Sequence, residues 1–167
     1  MKLNSKGFTL IEVLAVIVII GLLAGVSIPT VLKSINSGKE SAYKVMVSNI
    51  VIASKELFEE LSYSEGVVDI YKYDDLGNLS GELVGFEPDG SIEVNLQTLV
   101  SNGYLTGTSS EGKTSKVIVD PRNNEDIGYC MITIIRVIDE NTKITYTVKS
   151  NDESGCPSND DYQNGVK

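Results

Sequence analysis

Between Phe8 and Leu32 the chain carries a single charged residue, Glu12, whereas charges recur throughout everything that follows. About 20 consecutive apolar residues are enough to cross a bilayer core of roughly 30 Å. The 167 residues therefore read as one greasy segment followed by one water-facing domain. Lys2 and Lys6 precede the apolar run, and basic residues on that side favour a cytoplasmic N-terminus with the later domain outside.

Three readings of this segment compete. A cleaved secretory signal needs a small-residue site behind its apolar stretch, but here the run continues through Gly25, Val26, Ser27 and Ile28 into a helical pattern. An ordinary transmembrane anchor fits the length and leaves Glu12 unexplained. A carboxylate near the centre of a spanning helix costs about 2.5 to 3.5 kcal/mol. A plain account has Glu12 snorkelling at the interface. The third reading gives it a partner. Glu12 lies one helical turn after Phe8, so a cut before Phe8 creates an ammonium close to the carboxylate.

The residues from Lys6 to Leu14, K-G-F-T-L-I-E-V-L, and the apolar continuation with Gly21, Gly25 and Pro29 resemble the processing motif of type IV prepilins and pseudopilins, in its short-leader form. The resemblance implies that a membrane aspartic peptidase cuts between Gly7 and Phe8 and methylates the new Phe8 amine. Gly7 suits an extended substrate in a tight active site, because it has no side chain to clash. Glu12 and the Phe8 ammonium become assembly residues.

The same resemblance implies an α+β pilin fold: a long N-terminal helix, half membrane or filament core and half amphipathic, packed on a C-terminal antiparallel β-sheet. The expected organisation is a leader at 1–7, an apolar helix at 8–32, the amphipathic half of that helix at 33–62 and a globular head at 63–167. Periodicity independently supports the second half of the helix. Ile35, Ala42, Met46, Ile50, Ala53, Leu57 and Leu61 recur at steps of three, four or seven, which is one stripe of a 3.6-residue helix. The predicted helix runs from near Phe8 to about Leu61. Gly21, Gly25 and Pro29 are its weak points. Proline removes a backbone hydrogen bond and frees the Gly25 carbonyl, and glycine resists unwinding least. This stretch is expected to kink or melt when the subunit packs into a filament, a simple proline kink being the alternative.

Beyond the helix, Ser62 to Gly90 is punctuated by glycines and Pro88, with Val67–Tyr73 as a short strand. Asn95–Asn102 reads as a short helix capped by Gly103. Lys116–Val119 and Tyr129–Ile138 are strand candidates, the second apolar enough to suggest burial on both faces. Thr142–Val148 alternates, and Asp139, Glu140 and Asn141 form a turn that makes the last two strands a hairpin. Cys130 and Cys156 lie outside the membrane by the topology above, where disulfides persist. A bond between them resembles the disulfide-bounded C-terminal region of many pilins, with two free thiols as the alternative.

Composition narrows the function. The net charge is −9, and −11 without Lys2 and Lys6, which argues against a phosphate-binding surface and hence against nucleic acid as a direct partner. Histidine is absent, removing histidine bases, Ser-His-Asp triads and the usual zinc sets. No catalytic spacing emerges, so an enzyme is not expected, nor is a cofactor. Two oxygen-rich groups, Asp120/Asn123/Asn124/Glu125/Asp126 and Asn151/Asp152/Glu153/Asn159/Asp160/Asp161, match no EF-hand loop and read as solvated turns rather than metal sites. The implied function is a structural subunit of an extracellular type IV pilus, serving adhesion, motility or aggregation. Its implied partners are other pilin subunits, the prepilin peptidase, an assembly platform with its ATPase, and the membrane before assembly. A pseudopilin of a type II secretion system shares the motif and stays open as the alternative, as does a minor or DNA-uptake pilin.

Overall fold

The computed structural model describes residues 7–63, 71–74, 78–82, 90–109, 115–138, 144–151 and 154–164. The chain divides into two compact units, Met1–Lys39 and Glu40–Lys167. Helix α1 runs from Leu10–Tyr63, 54 residues, with Pro29 inside it. It begins two residues later than periodicity predicts, because Thr9 caps it.

In the first unit every residue from Gly7 to Gly38 is exposed except half-buried Ala24. In the second unit Tyr43, Val47, Ile50, Leu57 and Leu61 of α1 are buried, with Ala53 and Phe58 beside them. The predicted stripe is right from Ile50 onward, Met46 packs half-buried against the edge of the core, and the stripe is rotated before that. Ile35 and Ala42 are exposed, and Tyr43 and Val47 take the core positions. The reason lies in the C-terminal tail, which packs on α1 at Tyr43 and draws that face inward.

The strands are β1 (Tyr71–Tyr73), β2 (Leu79–Glu82), β3 (Ser91–Asn95), β4 (Thr108–Ser109), β5 (Lys116–Val117), β6 (Met131–Ile138) and β7 (Ile144–Ser150). The short helices are α2 (Leu96–Ser101) and α3 (Asn159–Asn164). The central sheet is antiparallel in the order β3-β6-β7. Its register aligns Ile92 with Ile134, and Ile134 with Val148, so one row of buried apolar side chains crosses all three strands. This row joins Ile50, Leu57 and Phe58 of α1 in a single core, and the Phe58 ring meets Tyr146 edge-on at 5.5 Å. Full burial of each such side chain is worth about 1.5 to 3 kcal/mol. The architecture is α+β: a long N-terminal helix packed on a C-terminal antiparallel sheet.

Several boundaries differ from expectation. The hairpin strands are present as β6 and β7, but its turn at 139–141 lies outside the described residues. β6 is buried on one face only: Ile132 and Ile134 are fully enclosed, while Val137 is 46% exposed. One helical layer covers one side of the sheet, and no second layer exists among the described residues to cover the other. The strand expected at Lys116–Val119 shortens to β5, since the chain turns off at Asp120. Of the Val67–Tyr73 strand only Tyr71–Tyr73 falls within the described residues. The short helix is as predicted. Asn95 caps it by accepting the Thr98 amide at 2.9 Å, and Gly103 leaves it at φ +88°, where glycine has no Cβ penalty.

Candidate functional site: the N-terminal helix and its latch

Gly7 and Phe8 stand immediately before α1, and Phe8 is 86% exposed. Thr9 is the residue that sequence reasoning passed over. Its hydroxyl accepts the Glu12 amide at 3.3 Å, and the Glu12 carboxylate accepts both the Thr9 amide and the Thr9 hydroxyl at 2.9 Å. This is a capping box, which satisfies amides that a helix start leaves without partners. The Thr-x-x-Glu spacing that signals it was readable at Thr9–Glu12. Glu12 is thus held at the helix start by Thr9, five residues after Gly7.

Apart from Glu12, α1 presents exposed apolar side chains from Leu10 to Leu32. Its N-terminal part is long and apolar enough to cross a membrane, and none of it is buried. Gly21 and Gly25 have open space around them, and Pro29 lies inside the helix. The Thr30 hydroxyl reaches back to the Val26 carbonyl at 3.4 Å, one of the devices by which a helix tolerates a nearby proline.

In the second unit, a polar cluster fastens the tail to α1. Asp120 is 2% exposed, and Arg122 grips its carboxylate through Nη2 at 2.7 Å and Nε at 3.1 Å, while the Arg122 amide donates at 2.8 Å. Burial pushes the Asp120 carboxyl up, but the Arg122 hydrogen bonds and charge outweigh it and hold the group below the usual carboxylate range. Tyr43 of α1 donates its hydroxyl to Asp161 at 2.9 Å. Burial and this carboxylate push the Tyr43 hydroxyl well up. Asp161 is also the acceptor of a second capping box, from the amide and hydroxyl of Ser158 at 2.9 and 2.8 Å, which starts α3. Burial raises Asp161, and the Ser158 and Tyr43 donors more than reverse that, so it too lies below its ordinary range.

Cys130 and Cys156 form a disulfide with Cα atoms 5.7 Å apart, and Tyr129 donates to the Ser154 carbonyl at 3.1 Å beside it. The oxygen-rich group at 120–126 is consumed in turn geometry. Asn123 donates to Glu125 at 2.6 Å, Asp126 accepts the Gly128 amide at 2.9 Å, and Asn124 adopts φ +63°. In the second group Asp152 and Glu153 lie outside the described residues, while Asn159 accepts the Ser150 amide at 2.8 Å.

Residues 2–28 match the family model for the prokaryotic N-terminal methylation motif. The chain is 33% identical over 86 residues to the type IV major pilin protein PilA of Myxococcus xanthus (strain DK1622). That match takes in 52% of this chain and 33% of the relative, so the chain spans about a third of that protein's length. No solved structure matches the chain. The N-terminal methylation motif and the similarity to a major pilin are therefore shared by one chain, and the motif ends within the exposed apolar part of α1.

Proposed function

We propose that the chain is a structural subunit of an extracellular type IV pilus. It enters the cytoplasmic membrane through the apolar part of α1, with the second unit outside. A prepilin peptidase removes the leader by cutting after Gly7, and Phe8 becomes the methylated N-terminus. An assembly platform and its ATPase then draw the apolar helix out of lipid and into a bundle of copies, where apolar cover is kept. The Glu12 carboxylate of one copy meets the Phe8 ammonium of another. A charge buried without its partner is costly, so this contact selects axial register more than it adds strength. Gly21, Gly25 and Pro29 are the stretch where the helix yields as the bundle forms. Adhesion, motility or aggregation is the service such a filament performs.

The observation that carries this reading is the exposed apolar helix with Glu12 as its single charge, set one turn behind the Gly7–Phe8 bond. Glu12→Ala tests it. The variant is expected to keep the Cys130–Cys156 disulfide and normal cellular levels while losing most of its sheared filaments. Wild-type filament yield from Glu12→Ala would remove the register role from this residue.

A further inference from the structure

We propose that Asn78 is the attachment site of a glycan, joined through its side-chain nitrogen once the second unit lies outside the membrane; this rests on the export step of the reading above. Asn78-Leu79-Ser80 is the one place in the sequence where asparagine stands two residues before a serine or threonine. With a residue other than proline between them, that spacing is the acceptor pattern for asparagine-linked sugar, and the setting it requires is an exposed turn on an exported domain. So short a pattern also recurs by chance, and geometry decides whether it is usable. Asn78 stands immediately before β2, where the chain has turned back from β1, and Asn78, Leu79 and Ser80 are all exposed. Strands β1 and β2 pair with each other, Tyr73 opposite Leu79, in a two-stranded sheet separate from β3-β6-β7. A bulky group at this turn therefore leaves the central sheet undisturbed.

The acceptor nitrogen is held in place and is still open to reaction. The Asp74 amide donates to the Asn78 carbonyl at 2.9 Å, and the Asp74 carboxylate accepts the Asn78 amide at 2.7 Å and the Asn78 carboxamide at 3.0 Å. A carboxamide carries two N–H bonds. Asp74 takes one, so exchange of the other for a sugar leaves the contact to Asp74 intact. Leu79 is 62% exposed, and a sugar on its neighbour covers part of that apolar surface. The donor is an oligosaccharide joined through pyrophosphate to a polyprenyl lipid, presented at the outer face of the membrane. Lys2 and Lys6 direct the second unit, and Asn78 with it, to that face. The transfer forms a bond from Nδ2 to the anomeric carbon and breaks the bond from that carbon to the pyrophosphate oxygen. The lipid pyrophosphate leaves with the electron pair, and one amide proton is released.

Mass spectrometry of the full chain from the cells that make it, with fragmentation that keeps sugars attached, tests the site. The peptide holding Asn78 is expected to carry a glycan mass that maps to the Asn78 side chain. Asn78→Gln and Ser80→Ala are each expected to abolish it, the second with the acceptor nitrogen still present, while Ser80→Thr keeps it. An intact Cys130–Cys156 disulfide in every variant shows that the chain has folded and reached an oxidising compartment. Bare Asn78 in protein that holds this disulfide overturns the glycan and leaves the pilin reading standing. A sugar that maps to Ser80 and survives Asn78→Gln overturns it as well. Chain retained inside the cell, with both thiols reduced and no sugar, overturns both readings.

Discussion

The guanidinium carbon of Arg122 lies 3.3 Å from the centroid of the Tyr43 ring, which places a cation on an aromatic face and holds the 120s turn against α1. The same arginine neutralises buried Asp120, and the same tyrosine holds Asp161 of α3. One small cluster thus secures two segments, the turn after β5 and the C-terminal helix, to the long helix.

Removing the two members of this contact should cost different amounts. Tyr43→Phe keeps the ring under Arg122 and loses one hydrogen bond to a charged group, about 1.5 to 3 kcal/mol. Arg122→Ala leaves the Asp120 carboxylate buried without its cation, about 3 to 5 kcal/mol. Chemical unfolding of the full chain in detergent, followed by tyrosine fluorescence, checks the order. A smaller effect from Arg122→Ala than from Tyr43→Phe would contradict the assignment of Arg122 as the neutralising group.

Acid should loosen the same cluster. Asp120 and Asp161 both titrate lower in the folded chain than they do unfolded, so the unfolded chain binds more protons as pH falls. Their stabilisation is complete above the ordinary carboxylate range, near pH 4 to 5, and is lost as pH drops through the folded values. Asp120→Asn is expected to be less stable at pH 7 and to show a shallower loss of Tm below about pH 4. An unchanged acid limb in that variant would mean that other carboxylates govern acid unfolding.

Reduction should release the tail. The Cys130–Cys156 bond spans 26 positions, and closing such a loop in the unfolded chain is worth about 3.5 kcal/mol in the chain-entropy model. Cys156→Ser is expected to lower the unfolding midpoint accordingly and to make the 154–164 segment exchange amide hydrogens first. The check is hydrogen exchange with and without reductant, where uniform loss of protection across β3, β6 and β7 would count against a tail-specific role.

Gly107 should not tolerate a side chain. A Cβ there would stand 2.5 Å from Val100 Cγ1, 2.8 Å from Lys116 Cβ and 3.1 Å from the Val117 carbonyl, where β5 packs on the chain leaving α2. Gly107→Ala is expected to cost about 1 to 3 kcal/mol through overpacking. Gly38→Ala is the control, since nothing lies within 4 Å of that position and alanine favours a helix.

Much of this fold was legible because its largest elements carry strong periods. The long helix, the β6–β7 hairpin and the short helix after Asn95 were read from spacing, turn residues and caps. β3 escaped because its five residues, Ser91 to Asn95, hold only Ile92 and Val94 as apolar positions, too short a run to distinguish from a loop. α3 escaped for a similar reason: Tyr162 is its single buried side chain, and six residues carry no helical period. Capping chemistry could have found it, since Ser158-x-x-Asp161 repeats the logic of Thr9-x-x-Glu12. The rotation of the α1 stripe at Tyr43 was not readable locally, because it is fixed by Asp161, far along the chain. Of the candidate site, Gly7, Phe8 and Glu12 were identified from the motif, and the partner that orients Glu12, Thr9, came only with the geometry.

The central claim is that the chain is cut after Gly7 and built into filaments. Mass spectrometry of the protein's N-terminus, in gently sheared material and in membranes from the same cells, tests it most directly. Abundant sheared protein that begins with N-methylated Phe8 is the predicted result. Protein that retains the Met1 to Gly7 leader in both fractions would contradict it and leave an ordinary membrane-anchored domain.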